Sequence, residues 1–413
     1  IFWINWGAIK CCRTFLKKAD ANGAYMKFEP YHLLFLAITV FFAMAGGAIL
    51  APVLPQMVGP LSSSPNEVAQ LMAVYTISTA IFSLVIGHFV DRVKRKSVLV
   101  PCLVINGLMG LFSFFATDLQ TLLILRFVQG IGIAGMMSLV MLVIGDVYSG
   151  IDRVHSMGRI SMAIAIGSVT APLIGGGLAT IGWNYPFLFY VLSLPFALLV
   201  LLLLPETKEC ESSHGSGLGN AVRELRDFRI LYTVFLSFAI FFLLFSIVVF
   251  LPFMLKDVFG FAAKEAGLVL SIQGLAIVVV ASNIKKLAEK LPLIVLIGLG
   301  FTLVGISISL ISWTASLPVL FLLLLLFGGG FGLCQTAIDS QIIQISPPGS
   351  RGGVLSIHNT MKYVGQSASP VVLGIILLFF DLHMVFLFSG VFGILVATAT
   401  LLFRGRFIVE NSI

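Results

Sequence analysis

The sequence predicts an all-α integral membrane protein with twelve transmembrane helices, and its composition, its length and its apolar segments lead to this prediction. Of the 413 residues, 59% are hydrophobic and 10% are charged, whereas soluble domains carry roughly 25% charged residues. Glycine and proline, which are more frequent in membrane helices than in soluble ones, number 40 and 16. Because one span needs ~20 apolar residues, the length suits about twelve spans and excludes a sizeable soluble enzyme domain.

Twelve apolar segments of membrane length follow one another along the chain. They lie at about 32–55, 67–90, 97–116, 119–146, 157–181 and 185–204, and then at 229–255, 262–283, 291–312, 316–343, 353–378 and 382–403. The longest polar interruption, from Glu206 to Arg229, separates six spans from six. We therefore expect an N-terminal segment (1–31), a six-helix bundle (32–204), a cytoplasmic central loop (205–228), a second six-helix bundle (229–404) and a cytoplasmic tail (405–413). Residues 1–31 alternate bulky apolar and basic residues, which is typical of a helix lying on the membrane surface or of a fraying tail.

The distribution of basic residues predicts the orientation. If the N-terminus is cytoplasmic, Lys256 and Lys264 fall in outer loops and Arg126 and Lys362 fall inside spans, while the other Lys and Arg residues lie on the inner side. This asymmetry is what the positive-inside rule predicts for a cell-membrane protein with both termini in the cytoplasm. It also explains the net charge of +7 without a nucleic-acid partner.

Patterns typical of enzymes and metal sites are missing. The five cysteines have no metal-binding spacing, so we expect neither a metal ion nor another cofactor. No phosphate-binding Gly-Lys-Thr loop is present, so ATP is not the predicted energy source. We expect no span to carry paired carboxylates, a His cluster or a Ser, His and Asp set at one depth, which argues against an enzyme.

The two halves of the sequence resemble each other. The segment GSVTAPLIGG at 167–176 in the fifth span is similar to GQSASPVVLG at 365–374, six spans later. Repeated six-span halves are typical of secondary transporters, whose binding site lies between the halves.

Three motifs carry more specific information. After the second span, the loop carries an acid among basic residues at fixed offsets: Gly87, Asp91, Arg92, Arg95 and Lys96. The fourth span contains Arg126 followed by Gln129, and a buried Arg is costly and indicates function by default. The fifth span contains Gly158, Gly167, Pro172, Gly175 and Gly176, which would let two helices approach closely. The simpler alternatives are a loop that only sets topology, an Arg126 that snorkels to the interface, and general small-residue packing.

Together these motifs resemble those of the major facilitator superfamily, and the third resembles the motif of its twelve-span drug/proton antiporters. The first motif departs from the family pattern at Lys94, where Gly is usual. The resemblance implies two pseudo-symmetric six-helix bundles that rock about a central cavity, so that the cavity opens alternately to each side. It also implies a gating latch, in which Asp91 caps the eleventh span, Arg95 pairs with Asp146, and Arg92 reaches Asp339. Each of these acids has the alternative of being an ordinary helix-end charge.

Proton coupling requires a titratable group inside the membrane, and no Asp or Glu lies in the middle of a predicted span. Arg126 and Lys362 are the basic residues well inside spans, and Lys362 is the first candidate because burial favours its neutral form. His358, one turn away, is the second candidate unless its role is structural. The carboxylate candidates are Asp91, Asp146 and Asp339, which all lie near the inner surface. The unbalanced positive charges of Arg126 and Lys362 favour neutral or anionic substrates over lipophilic cations.

We therefore expect a secondary transporter that exports hydrophobic or amphipathic small molecules in exchange for protons, as a monomer in the lipid bilayer. Candidates for lining the substrate cavity are Phe41, Met44, Phe245, Gln273, Gln335 and Asn359, although many Phe side chains of such a protein face lipid. The alternatives are an organic-anion or metabolite carrier that uses Arg126 and Lys362, and, more remotely, a membrane receptor without transport activity.

Overall fold

A computed structural model describes residues 30–89, 93–148, 150–207, 222–288, 291–347 and 350–407. Nearly all of these residues are helical, and the described ranges contain no strand. Twelve of their helical segments are long and apolar enough to cross a membrane. The predicted all-α class with twelve spans is therefore confirmed. The N-terminal segment 1–29, residues 208–221 of the central loop and residues 408–413 of the tail lie outside the described ranges.

The first six long helices correspond in order to the six predicted segments of the first half. They are α1 (Pro30–Ala48), α2 (Pro65–Phe89), α3 (Arg95–Phe115), α4 (Leu119–Val147), α5 (Gly150–Leu178) and α6 (Ser193–Leu203). A 3₁₀ turn (Ala51–Val53) and a helical turn (Leu54–Met57) continue α1, and we call them the α1 extension. Two short turns, Tyr185–Phe187 and Leu188–Val191, lead into α6.

The last six helices are α7 (Phe228–Phe259), α8 (Ala263–Ala288), α9 (Leu293–Ile311), α10 (Leu317–Ile345), α11 (Arg351–Phe379) and α12 (Leu382–Leu402). Helices α5 and α7 are longer than the apolar segments that predicted them. Polar residues extend α5 at its start, and a further helical turn extends α7 to Phe259, where Gly260 ends the helix with a φ of 67°. Hydropathy reports the membrane-length part of a helix, whereas backbone hydrogen bonding continues beyond it.

Aspartate caps mark where several helices begin. The Asp118 side chain accepts a hydrogen bond from the backbone N–H of Thr121, and this bond lowers the pKa of Asp118 below its usual value. Asp227 accepts from the N–H of Arg229 in the same way, and hydrogen bonds from Arg229 lower its pKa. Such side chains satisfy N–H groups that have no partner within the helix.

Contacts between helix ends define two faces of the bundle. The start of α1 meets the end of α6, where the His32 ring lies 3.1 Å from the carbonyl oxygen of Leu203. The start of α7 meets the end of α12, where the rings of Phe228 and Phe403 are 5.3 Å apart. We call the side where α1 begins and α12 ends the terminal face, and the opposite side the distal face.

Candidate transport site and gates

The two halves of the chain meet mainly through two helix pairs, α2 with α11 and α5 with α8. Helices α5 and α8 approach most closely near the distal face. A Cβ atom at Gly176 would overlap the backbone carbonyl oxygen of Ala263, and a Cβ atom at Gly267 would overlap that of Pro172. Helices without side chains at the contact can pack this closely. The distal end of this helix pair is therefore closed.

The α1 extension adds a second contact between the halves at the distal face. The Lys256 ammonium, near the end of α7, donates a hydrogen bond to the carbonyl oxygen of Pro55 at 3.1 Å. Within the first half, a Cβ atom at Gly175 would overlap the carbonyl oxygen of Ile49, just before this extension. A cleft of about 230 Å³, lined in part by Gln56, remains beside it. These contacts hold both halves together on the distal side.

Contacts between the halves continue toward the middle of the molecule. The Ser271 hydroxyl of α8 donates to the carbonyl oxygen of Val169 in α5 at 2.7 Å. The hydroxyls of Ser83 in α2 and Thr360 in α11 lie 3.3 Å apart. Helices α2 and α11 thus remain in contact well beyond the distal end.

The glycines of the fifth-span motif take different positions in this arrangement. Gly167 lies against α1, where a Cβ atom would be 3.3 Å from Met44 and 3.5 Å from Phe41. Gly158 has no atom within 4 Å of its Cβ position, so it takes no part in the close packing that we expected of it. The reason is its place near the terminal-face end of α5, beyond the part of the helix that contacts α8.

At the terminal face, Arg95 forms the expected ion pair with Asp146. The Arg95 Nε atom is 2.9 Å from the Asp146 Oδ2 atom, and the Arg95 side chain is buried. A third residue, Glu206, accepts hydrogen bonds from the backbone N–H groups of Arg95 at 2.8 Å and Lys96 at 3.3 Å. A carboxylate is favoured at the positive N-terminus of a helix. Sequence reasoning missed Glu206, which we counted as part of the central loop.

The remaining residues of the proposed latch are less informative. Gly87 lies in the last turn of α2, whereas Asp91 and Arg92 lie outside the described residues. The described start of α11 has no side-chain cap from Ser350. The latch contacts of Asp91 and Arg92 therefore stay predictions.

Arg126 is completely buried in the first half, so the snorkelling alternative is wrong. Its Nη1 atom donates to the carbonyl oxygen of Gly46 at 3.0 Å and to the Gln129 side chain at 2.8 Å. The Tyr190 hydroxyl donates to the same Gly46 oxygen at 2.9 Å. The Gln129 Nε2 atom donates in turn to the Asn106 Oδ1 atom at 2.9 Å. The Nε and Nη2 atoms of Arg126 have no hydrogen-bond partner among the described residues.

Aromatic rings complete the surroundings of the Arg126 guanidinium. Its central carbon lies 5.7, 5.3 and 5.5 Å from the ring centres of Tyr75, Phe187 and Tyr190. The ring faces carry partial negative charge and attract a cation at this distance. Aromatic faces and carbonyl dipoles thus stabilise Arg126, and no carboxylate in the described part of the chain forms an ion pair with it.

Lys362 has a carboxylate partner, so our expectation that no acid balances its charge is wrong. Its Nζ atom lies 2.7 Å from the Oδ1 atom of Asp339 in α10, which also lies 2.8 Å from the His358 Nε2 atom. Helical side chains lean toward the helix N-terminus. Because α10 and α11 run in opposite directions, Asp339 leans away from the terminal face and Lys362 leans toward it. The two side chains therefore meet although Asp339 lies nearer the helix end in sequence.

A serine completes this cluster, and it overturns our expectation that no Ser, His and Asp set shares a depth. The Ser237 Oγ atom of α7 lies 2.8 Å from His358 Nδ1, while its distance to the carbonyl oxygen of Thr233 is 3.3 Å. Ser237 is fully buried, so a substrate cannot reach its hydroxyl. Asp339, in contrast, keeps 38% of its side chain exposed. Asp339 contacts both His358 and Lys362 and is the member of the cluster whose side chain keeps the most exposed surface.

The expected cavity residues differ in exposure. Phe245 and Gln273 are buried, and the Gln273 Oε1 atom has no hydrogen-bond partner among the described residues. Phe41, Met44 and Gln335 are half-buried, and Asn359 is exposed. Phe245 and Gln273 therefore lie in the packed interior in this conformation, and all six residues stay candidates for contact with substrate.

Twelve spans in two halves, with close glycine contacts between the halves, are typical of a membrane transporter. Residues 36–370 match the family model of the Major Facilitator Superfamily. The chain belongs to the major facilitator superfamily.

Individual relatives and structures agree with this membership. The chain is 30% identical over 344 residues to the bacillibactin exporter of Bacillus subtilis, covering 79% of this chain and 85% of that protein. It is 25% identical over 378 residues to multidrug resistance protein 2 of Bacillus subtilis, covering 86% and 91%. A bacterial homologue of the human lysosomal transporter Spinster, in an inward-facing and occupied conformation, has a TM-score of 0.80 at 18% identity, covering 92% and 98%. The human organic anion transporter MFSD10 has a TM-score of 0.69 at 17% identity, covering 91% and 100%.

Proposed function

We propose that this transporter exports hydrophobic or amphipathic small molecules in exchange for protons, by alternating access. Two of its relatives carry names that describe export or drug resistance, which favours the outward direction. The excess of basic residues at the terminal face favours a cytoplasmic location for that face, in the cell membrane. In this orientation, a conformation closed at the distal face and open at the terminal face would receive substrate from the cytoplasm. We propose that it acts as a monomer.

The observation that supports proton exchange most directly is the exposed carboxylate of Asp339. An exchanger needs a group that can bind a proton on one side of the membrane and release it on the other. Asp339 sits on α10 and contacts α11, which forms the interface with the first half through α2. Rocking of the halves would change which side reaches this carboxylate. His358 and Lys362 are then its direct partners in coupling.

The ion pair at the terminal face supports the proposed gate. The ion pair of Arg95 and Asp146 joins the start of α3 to the end of α4. Glu206 connects the start of α3 to the segment after α6. The first half would therefore move as a unit when the two halves rock. Gly175, Gly176 and Pro172 would form the distal seal, which has to open for release.

Transport into proteoliposomes tests the proposal. Purified protein would be reconstituted with an imposed pH gradient and given a cationic dye, a neutral drug and an organic anion in parallel. We expect the pH gradient to drive movement of the cationic or neutral compound against the proton flow. Movement of the anion alone, indifferent to the pH gradient, would contradict the proposal.

Asp339→Asn should reduce pH-driven transport to near the background of empty liposomes, because the amide cannot take up the coupled proton. Facilitated movement of substrate without a pH gradient should persist. Asp227→Asn is a matched control, since Asp227 also forms an ion pair, with Arg229 at 3.1 Å, and its side chain is 37% exposed. Equal pH-driven transport by the Asp339 variant and the control would remove Asp339 from the coupling mechanism.

A carrier of organic anions is the second candidate, and the charge of Arg126 favours it. Arg126 has two nitrogen atoms without partners among the described residues, so a carboxylate or sulfonate on a substrate would find donors there. Burial of the whole side chain means that helices would first have to separate. The anion arm of the liposome experiment distinguishes this candidate from the first.

A further inference from the structure

The cluster around Asp339 also has a consequence for which substrates can exchange with protons. Lys362 and His358 both bind the Oδ1 atom of Asp339, at 2.7 and 2.8 Å. Among the described residues nothing is bonded to the Oδ2 atom, and 38% of the side chain is exposed. A lysine of the protein itself thus contacts one carboxylate oxygen, while part of the Asp339 side chain stays accessible.

The hydrogen bonds indicate that His358 is neutral in this cluster. Ser237 Oγ lies 2.8 Å from His358 Nδ1 but 3.3 Å from the carbonyl oxygen of Thr233, so we assign the hydroxyl proton to the shorter bond. Nδ1 then accepts from the serine, and the proton on Nε2 is donated to Asp339. His358 therefore positions the carboxylate without adding charge.

The cluster consequently has zero net charge while Asp339 is ionised and a charge of +1 once Asp339 is protonated. The described side chains of the other helices that pack on α10 add no further charge near this cluster. Helix α7 presents Ser237 and the Phe241 ring, whose centre is 5.8 Å from Lys362 Nζ. Helix α9 has no ionisable residue between Leu293 and Ile311, and the described ionisable side chains of α8, Lys264 and Glu265, lie at its distal end.

This charge balance decides the sign of coupling. A ligand exchanges with a proton only if it binds the deprotonated site more tightly, because linkage between two ligands is reciprocal. An anion is attracted to the +1 state and would move together with the proton. A cation is attracted to the ionised carboxylate and competes with both the proton and Lys362.

Resting on the proposed function, we infer that Lys362 is an internal counter-cation that competes with substrate for Asp339, and that the exchanged substrates are amphipathic cations. Lys362 then weakens the affinity of the site for every cation, and this lower affinity allows a bound substrate to be released. The expected preference for neutral or anionic substrates treated Arg126 and Lys362 as unbalanced charges, and the pairing of Lys362 with Asp339 reverses it.

Binding of two ions of equal size and opposite charge tests this inference without any pH gradient. Tetraphenylphosphonium and tetraphenylborate would be titrated into the transporter in lipid nanodiscs. Lys362→Met should tighten phosphonium binding at least about fivefold and should not tighten borate binding. Fivefold is about the effect of removing a unit charge ~4 Å from the bound cation when water screens the two charges fully. The double variant Asp339→Asn with Lys362→Met should lose this gain. Lys264→Met, which removes an exposed lysine of the distal face, should leave both affinities unchanged.

Wild-type protein provides a measurement that does not depend on whether the variants fold. Phosphonium binding should strengthen as the pH rises through the titration of Asp339, and borate binding should weaken. Lys362→Arg, which keeps the charge, should retain the wild-type preference. Unchanged phosphonium affinity in a folded Lys362→Met protein, or a gain that persists without Asp339, would overturn the inference. If wild-type liposomes show no pH-driven transport, the proposed function is contradicted, whereas these binding results remain valid.

Discussion

Gly176→Val should reduce transport about 5- to 150-fold by preventing closure of the distal face. A Cβ atom at this position overlaps the backbone carbonyl oxygen of Ala263, which cannot rotate away as a side chain would. Overpacking of this kind costs about 1–3 kcal/mol, and the cost falls on the distal-closed conformation alone. A free energy of about 1–3 kcal/mol changes the ratio of two conformations about 5- to 150-fold.

The neighbouring residue supplies the control for this prediction. Gly177→Val adds the same side chain one position along α5, where no atom lies within 4 Å of the Cβ position, and it should retain transport. A cysteine introduced at Gln56, which lines the distal cleft, should react faster with an impermeant maleimide in the Gly176 variant than in the Gly177 variant. Similar transport and similar labelling in both variants would show that the contact between Gly176 and Ala263 does not form the seal.

Arg126→Met should have the second large effect, with loss of most transport activity. The α1 helix ends at Ala48, and Leu50 donates its backbone N–H to the carbonyl oxygen of Gly47 rather than to that of Gly46. The Gly46 oxygen instead accepts from Arg126 and from Tyr190. Arg126 therefore fixes the point at which α1 passes into the extension that closes the distal face.

Methionine keeps an unbranched apolar stem but removes the guanidinium donors of Arg126. The Gln129 Oε1 atom loses its partner, and an unsatisfied buried acceptor costs about 1–3 kcal/mol. Thermal unfolding in detergent should show this as a lower midpoint. Arg126→Lys should not restore activity, because a single ammonium lacks the planar fork that reaches Gly46 and Gln129 together. Full transport in either variant, measured with the same liposomes, would exclude this role.

The sequence predicted much of the fold because hydropathy depends on composition within each span. Twelve apolar segments and the polar stretch after Glu206 located all twelve long helices within a few residues at most ends. Start signals were visible too, since Asp118 and Asp381 cap α4 and α12 through their side chains. The early start of α5 was not predicted, because its first turns are polar and carry no hydropathy signal.

The site was predicted less well because it depends on contacts between helices. The pair of Arg95 and Asp146 followed from the family resemblance, and the structure contains it. Lys362 and Asp339 lie on separate helices at different distances from the terminal face, so counting along the sequence kept them apart. They meet because α10 and α11 run in opposite directions, so that their side chains lean toward each other along the helix axes. Ser237 had no signal at all, since a serine in a membrane helix usually bonds to its own backbone.

Proton release on substrate binding tests the central claim most directly, because it observes the exchange at Asp339 itself. Purified transporter in weakly buffered solutions at a series of pH values would be mixed with tetraphenylphosphonium, while a pH indicator records each solution. The account predicts that wild-type protein acidifies the solution in proportion to the substrate bound, and that Asp339→Asn binds without releasing protons. Saturable binding to wild-type protein with no proton release, or equal release from the Asp339 variant, would contradict it.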